Sequence, residues 1–307
     1  MTRLLHSPGF WIAALLAVVA ASAPWWLGAY LIGVLTVSYY FGVFAMSWDL
    51  LFGFAGEVNF GPTFLIGLGA YTAAIMNSSG WSIPLCLVAG AAMAVLGGVL
   101  LALPALRLRG PYFGLMTLCA VLLLQNFIVI FAGVTGGEIG MTVPDVLSID
   151  TTMNYWYSLG FLAVSAIILF GLSRSAVGLI LQASGQDSVE AAALGFNVTK
   201  HKLFAFCVSA LFSGLAGAML IFYMGAASVD TVINISIGVQ IIISAVLGGR
   251  RTILGAAIGA VFLVLANELL RPLGQLNTFV VSAAALAVIL LFPDGFLGYA
   301  LRARAPK

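Results

Sequence analysis

The chain consists of long apolar blocks separated by short polar segments. The apolar blocks fall near residues 9–23, 28–48, 61–77, 83–104, 112–133, 157–173, 203–224, 232–248, 253–270 and 276–292. A helix that crosses about 30 Å of hydrocarbon needs about 20 residues. The pattern therefore predicts an all-α, polytopic membrane bundle of about ten transmembrane helices, with a range of eight to ten because the first and third blocks are short.

The composition supports a fold that lies almost wholly in the membrane. Of the 307 residues, 63% are hydrophobic and 7% are charged, which leaves no room for a soluble domain. Residues 1–307 are therefore interpreted as a single transmembrane domain. The second to fifth blocks and the seventh to tenth blocks, four on either side of the sixth, have opposite orientations, as an inverted repeat requires.

The basic residues predict the orientation of the bundle. Lys and Arg concentrate in cytoplasmic loops of membrane proteins. With the N-terminus in the cytoplasm, Arg271 alone of the twelve basic residues lies outside, and the cytoplasmic residues are Arg3, Arg107, Arg109, Arg174, Lys200, Lys202, Arg250, Arg251, Arg302, Arg304 and Lys307. The acidic residues Glu138, Asp145, Asp150 and Asp230 then lie in outer loops. This asymmetry also favours an even number of spans.

The longest cytoplasmic insertion, residues 174–202, contains a predicted short helix. Asp187 and Glu190 have the capping-box spacing, three alanines and a leucine follow, and Gly195 is a natural C-terminal stop. The spacing predicts a helix over 188–194. Its small side chains, Ala191 and Ala192 among them, allow another protein to approach closely. The segment is interpreted as a docking platform, and the alternative is an ordinary connector resting on the membrane surface.

A second polar interruption, GFAGEVNFG at residues 53–61, separates the second and third blocks. Its three glycines and the following Pro62 indicate a discontinuous helix. Broken helices at membrane depth are tolerated where the backbone lines a cavity or is buried in protein. Glu57 and Asn59 are therefore candidates for a translocation path. The alternative is a plain cytoplasmic turn between two helices.

Several polar residues lie inside or near the ends of the other apolar blocks, where polar groups rarely face lipid. Asn126 and Gln240 are candidates for the same path, although buried amides also commonly bridge neighbouring helices. Glu268 is predicted to form a helix-end salt bridge with Arg271, one turn later. The pair Gly255 and Gly259 predicts close packing of two helices. The remaining polar residues of this kind are Gln125 and Asn267.

Motifs for catalysis, nucleotide binding and metal binding are absent from the sequence. There is no G-x-x-x-x-G-K-[ST] segment, no zincin helix and no G-x-S-x-G elbow. Cys86, Cys119 and Cys207 each lie in an apolar block without metal-ligand spacing. The net charge of +2 is spread over separate loops and forms no basic tract for nucleic acid. No catalytic residue, metal or cofactor is assigned, so any nucleotide hydrolysis must come from a partner.

Six segments in matching order resemble the LivM-like permease subunits of bacterial ATP-binding-cassette importers for branched-chain amino acids. They are GFAGEVNFGPTFLIGLGAYTAA at 53–74, LRLRGPYFGLMTL at 106–118, GVTGGEIGM at 133–141, EAAALGFNVTKHKLFAF at 190–206, VLGGRRTILGAAIGA at 246–260 and FPDGFLG at 292–298.

The resemblance implies a multi-pass subunit of the bacterial inner membrane that works with several partners. These are a second, LivH-like permease or a second copy of the chain, two cytoplasmic ATPases and an extracytoplasmic solute-binding protein. It implies that residues 174–202 form a coupling loop whose EAA-like helix seats in the ATPase. The residues implied in that coupling are Asp187, Glu190, Ala191, Ala192, Leu194 and Gly195.

The chain departs from the family pattern in two places. Around the coupling helix, GLILQASGQDS at 178–188 lacks the arginines and extra acids that members often carry. Upstream, Glu57-Val58-Asn59 replaces the commoner Q-L-S type, and Pro62 follows Gly61 where many relatives have His or Gln. A different solute within the same importer family, such as urea, a short amide or a sugar, is therefore an alternative.

An ion-coupled secondary transporter is the alternative from a different class, because such transporters also contain inverted repeats and broken helices. It requires a coupling-ion site, and the acids in or near the spans are Asp49, Glu57 and Glu268. An intramembrane enzyme would need a catalytic cluster that the sequence does not contain.

Overall fold

The computed structural model describes residues 18–108 and 111–274, together with residues 276, 279, 280 and 283. Most of the predicted tenth span and most of the first lie outside these residues, as do Arg3, Arg109 and the basic C-terminus. The helices are α1 Ala29–Asp49, α2 Pro62–Ser78, α3 Ile83–Ala105, α4 Pro111–Ile130, α5 Ala132–Thr135, α6 Thr151–Arg174, α7 Ala176–Gln186, α8 Ser188–Ala193, α9 Val198–Met224, α10 Val229–Val232, α11 Ile235–Gly248 and α12 Ile253–Leu269.

Short elements of other kinds complete the described part of the chain. Two 3-10 turns, Ala23–Trp25 and Arg271–Leu273, lie before α1 and after α12. A π-helical turn, Leu50–Phe54, extends α1. The strands β1 Met141–Thr142 and β2 Ala226–Ala227 pair antiparallel, with Met141 opposite Ala227.

The predicted spans two to nine are all helical. Within the described residues, six helices are long and apolar enough to cross a membrane, namely Ala29–Phe54, Ile83–Ala105, Pro111–Ile130, Thr151–Arg174, Val198–Met224 and Val229–Gly248. Helix α12 is a shorter apolar helix, and α2 has 17 residues. The prediction of a polytopic helical bundle is confirmed. The inverted repeat stays a prediction.

Helix α1 lies at the centre of the bundle, in contact with α6, α9, α11 and α12. Its residues Tyr40, Val43, Phe44 and Met46 are at most 1% exposed. A second group of tightly packed helices, α2, α3 and α9, completes the core.

The closest contacts between helices occur at glycines. This is expected in lipid, where the hydrophobic effect does not drive helices together and small residues allow them to pack closely. A side chain on Gly69 of α2 would collide with the backbone of Gly214 on α9, and one on Gly90 of α3 would come 2.6 Å from the carbonyl oxygen of Gly69. Gly255 and Gly259 of α12 lie against the α11 backbone in the same way. The packing role predicted for that pair is confirmed.

Loops gather at two opposite ends of the bundle. At the end assigned to the cytoplasm, the segment after α1 contacts both the 174–202 insertion and the loop between α11 and α12. At the other end, the Asn77 side chain donates a 2.8 Å hydrogen bond to Asp145 and accepts one from its backbone N–H. The loops that share an end of the bundle are the loops that the basic residues assign to the same side of the membrane.

Candidate functional site

Helix α8 is the predicted short helix of the cytoplasmic insertion. The Asp187 carboxylate accepts hydrogen bonds from the backbone N–H groups of Val189, at 2.7 Å, and Glu190, at 3.0 Å. These bonds, first of all the one from Glu190, lower the pKa of Asp187. Gly195 ends the helix at φ +90°, and its N–H donates to the Ala192 carbonyl. Such a conformation strongly favours glycine.

The side chains of α8 divide into one buried residue and an exposed surface. Val189 and Leu194 are 67% and 75% exposed, and Ala192 and Ala193 are also exposed. These four residues are called the α8 surface below. Ala191 is 2% exposed and packs into the subunit. Of the residues implied in coupling, Ala191 therefore holds the helix from beneath, while Ala192 and Leu194 are available to a partner.

The interruption between α1 and α2 enters the bundle. Residues 55–61, called the re-entrant segment below, run from the π-helical turn to Pro62. The Phe60 N–H donates to the Thr117 hydroxyl at 3.0 Å. Thr117 lies six residues into α4, which is about 9 Å from its cytoplasmic end. The contact places the segment against the first two turns of α4, and the broken-helix interpretation stays a prediction.

Asn59 shapes the re-entrant segment from within. The residue is 2% exposed. Its side-chain oxygen accepts a 2.8 Å hydrogen bond from the Gly61 N–H, and its backbone carbonyl accepts one of 2.6 Å from the Trp48 indole. Asn59 thus fixes the chain reversal that leads into α2. Its part in a translocation path stays a prediction.

Glu57, the other candidate on this segment, forms an ion pair. Its carboxylate lies 2.6 Å from the Lys202 ammonium, and the side chains of Lys202 and Glu57 are 13% and 18% exposed. Lys202 is the last residue of the coupling loop and lies in the first turns of α9. Glu57 therefore faces the cytoplasmic side of the segment.

A buried contact that the sequence did not reveal joins α1 to the loop between α11 and α12. Asp49 is fully buried, and its carboxylate accepts a 3.1 Å hydrogen bond from the Arg251 N–H. The Arg251 guanidinium donates to the Gly53 carbonyl at 2.9 Å, while Arg250 lies over the Phe52 ring. The basic pair was visible in the sequence, but its partners lie some 200 residues away along the chain.

An open cleft of about 350 Å³ lies at the outer end of α4. The Gln125 amide on its wall donates a 3.0 Å hydrogen bond to the Ile233 carbonyl. The other lining residues are Asn126, Val129, Glu138, Val229 and Asp230. The cleft is therefore polar and acidic, and it opens on the side predicted to face away from the cytoplasm.

The four predicted path residues do not form one cluster. Glu57 and Asn59 lie on the re-entrant segment, whereas Asn126 lines the outer cleft, nine residues and about 13 Å beyond Thr117 on α4. Gln240 is half-buried on α11. The residues occupy different depths of the bundle.

The acids needed by the secondary-transporter alternative are each engaged by protein groups. Glu268 pairs with Arg271 at 3.1 Å, as predicted, and Arg271 also donates to the Tyr30 hydroxyl. Asp49 and Glu57 have the partners described above. Glu57 and Glu268 are thus each paired with a basic residue, whereas Asp49 accepts through Oδ1 and its Oδ2 is buried without a hydrogen-bond partner among the described residues.

Comparison with known proteins identifies the class to which this architecture belongs. Residues 30–302 match the family described as the permease component of branched-chain amino acid transport systems. The chain is 25% identical to the high-affinity branched-chain amino acid transport system permease protein LivM of Escherichia coli, over 92% of this chain and 73% of LivM. The LivM protein of Salmonella typhimurium gives the same figures. None of the solved structures matches the chain.

Two further relatives show the breadth of the family. LivH of Escherichia coli is 26% identical over 84% of this chain and 91% of its own length. The autoinducer 2 import system permease protein LsrC of an Enterobacter species is 27% identical over 80% of this chain and 72% of its own length. The chain belongs to the family of permease components of branched-chain amino acid transport systems, and it is a multi-pass protein of the inner membrane.

Proposed function

We propose that this chain is the non-catalytic permease subunit of an ATP-driven importer and that partner ATPases move it through α8. The observation that carries the proposal is a capped, exposed and mostly small-residue helix at the cytoplasmic end of a permease-family bundle. Closure of an ATPase pair would push on the α8 surface. Rigid-body rocking of the packed helices would then exchange one access state for the other.

The proposed cargo is a branched-chain amino acid. The support is the LivM name of the relatives described above and the acidic outer cleft, which suits the ammonium group of an amino acid arriving from outside. Urea, a short amide or a sugar would be different results of the same uptake assay. The binding protein that delivers the solute would dock at this outer end.

The proposed assembly contains a second permease, two ATPases and a solute-binding protein. The second permease is either LivH-like or another copy of this chain, and all of residues 1–307 act as one permease domain with its coupling loop at 174–202. Membrane vesicles that contain this chain alone should show no solute uptake. Appreciable uptake driven by a proton or sodium gradient would reject the proposal.

Crosslinking tests the role of α8 directly. In membranes that contain the whole importer, Ala192→Cys should crosslink to the ATPase, because Ala192 is exposed. The adjacent Ala191→Cys is the matched control and should not, because Ala191 is 2% exposed. A bulky Ala192→Trp variant should reduce uptake. Absence of any crosslink from Ala192, together with normal uptake by Ala192→Trp, would contradict coupling through α8.

A further inference from the structure

Two contacts on either side of α8 reach the same seven-residue segment of the bundle. Gly185 lies two residues before the cap Asp187, and Lys202, the last residue of the coupling loop, lies in the first turns of α9. Gly185 contacts Gly56, and Lys202 pairs with Glu57. Helix α8 is therefore bracketed by two attachments to neighbouring residues of the re-entrant segment.

The first attachment is a direct backbone contact. A side chain on Gly56 would lie 2.8 Å from the carbonyl oxygen of Gly185, and one on Gly185 would lie 3.0 Å from the backbone nitrogen of Gly56. Gly56 also has φ +74°, a conformation that favours glycine. No side chain separates α7 from the segment, so a displacement of one is transmitted to the other.

The second attachment is the ion pair between Glu57 and Lys202. The 2.6 Å separation and the low exposure of both side chains show that the charges are largely removed from water. Loss of one partner would leave the other charge partly buried and unpaired. The pair therefore resists separation of α9 from the segment.

The far end of the segment is fixed to membrane-embedded helices. Phe60 bonds to Thr117 of α4, and the Asn59 carbonyl bonds to Trp48 of α1. Pro62 then begins α2 directly. A displacement at Gly56 and Glu57 would thus be passed to the contacts with α1, α4 and the start of α2.

We propose that the Glu57–Lys202 ion pair and the Gly56–Gly185 contact form the link that transmits motion of α8 to the re-entrant segment. This inference rests on the proposed function, since it assumes that the ATPase acts on α8. Glu57 and Lys202 are positioning residues: they keep the segment moving with the coupling loop. If the two residues only stabilised the fold, their replacement would change stability. If they transmit motion, their replacement changes the amount of solute transported per ATP hydrolysed.

The test uses the complete importer in proteoliposomes with its binding protein, and it measures ATP hydrolysis and uptake together. The variants are Glu57→Lys, Lys202→Glu and the double swap. Each single reversal should continue to hydrolyse ATP while uptake per ATP falls by about tenfold, within the usual range of coupling between sites. The swap should restore most of the ratio, because it recreates the pair with opposite polarity. Lys200→Glu, an exposed reversal two residues away, is the control and should leave the ratio unchanged.

A second pair of variants keeps the test informative if the charge reversals fail to fold. Gly185→Ala inserts a methyl group into the contact with Gly56 and should also lower uptake per ATP. Gly171→Ala on α6 is the control, because a side chain there meets nothing within 4 Å. Normal ratios in the single reversals, or no recovery in the swap, would overturn the ion-pair link, and a normal ratio in Gly185→Ala would overturn the backbone contact.

The crosslink from Ala192 separates failure of this inference from failure of the proposed function. If Ala192→Cys still reaches the ATPase in the reversed variants and their uptake per ATP is normal, only the link is wrong. If Ala192→Cys never reaches the ATPase even in the otherwise unchanged chain, the proposed function fails and the link fails with it.

Discussion

The carboxylate of Asp187 decides whether α8 keeps its first turn. A group whose pKa is lowered in the folded state contributes stability above its ordinary pKa, here 3.8, and loses that contribution as the pH falls through the lowered value. Helix α8 should therefore keep its cap throughout the neutral range. It should fray only in strong acid.

Replacement of Asp187 tests this cap. Asp187→Ala should increase amide hydrogen exchange at Val189 and Glu190 and reduce uptake severalfold, because two backbone donors lose their acceptor. Asp187→Asn should retain most of both properties, because asparagine also caps helices well. Equal behaviour of the two variants would show that the cap is unimportant.

Asn59 and Asn126 differ in what their side chains hold together. Asn59 is buried and its side chain accepts a hydrogen bond from the N–H of Gly61, the residue before α2, whereas the exposed Asn126 amide donates to the Leu122 carbonyl within its own helix. Asn59→Ala should lower the free energy of unfolding of the purified complex by about 1–3 kcal/mol, because the Gly61 N–H loses its buried acceptor. Asn126→Ala should have little effect on stability. The opposite order in a thermal unfolding assay would show that Asn59 does not fix the reversal.

At the scale of elements, the apolar blocks predicted the spans because a chain in lipid must satisfy its backbone hydrogen bonds within each helix. The break at 53–61 was equally visible, since glycines and a proline interrupt an apolar run. The two-residue strands β1 and β2 were not, because so short a ladder has no periodic signal. The partner of Glu57 could not be predicted from the sequence either, since Lys202 lies 145 residues away and several other basic residues occupy the same end of the bundle.

Helices α2, α3 and α9 pack closely because glycines face each other where these helices meet. Gly69→Leu should destabilise the bundle by about 1–3 kcal/mol or more, because the new side chain collides with the Gly214 backbone. Gly160→Leu on α6 is the matched control, since nothing lies within 4 Å of a side chain there. The yield and melting temperature of the purified complex measure the difference. Similar values for the two variants would mean that this helix contact is looser than described.

For the whole molecule, long-range contacts hold together loops that the charge asymmetry assigns to the same side of the membrane. The predicted cytoplasmic residues Lys202 and Arg251 both bind the segment between α1 and α2, and Arg271 lies at the other end with Tyr30. The charge pattern along the sequence and the contacts in the bundle are separate observations. The sequence therefore predicted which loops share an end, although it did not predict which residues touch.

Cysteine labelling from the two sides of the membrane tests this orientation. In a chain with Cys86, Cys119 and Cys207 replaced, Ser188→Cys on the exposed start of α8 should react with a membrane-impermeant maleimide only in inside-out vesicles. Ser79→Cys, exposed after α2, should react only in spheroplasts, because the outer loops face away from the cytoplasm. Both variants should support uptake, which shows that the labelled protein is folded. Labelling of both cysteines from one side would contradict their positions at opposite ends of the bundle. Complete exchange of the two patterns would keep the fold and reverse its insertion, which would place α8 out of reach of any cytoplasmic ATPase.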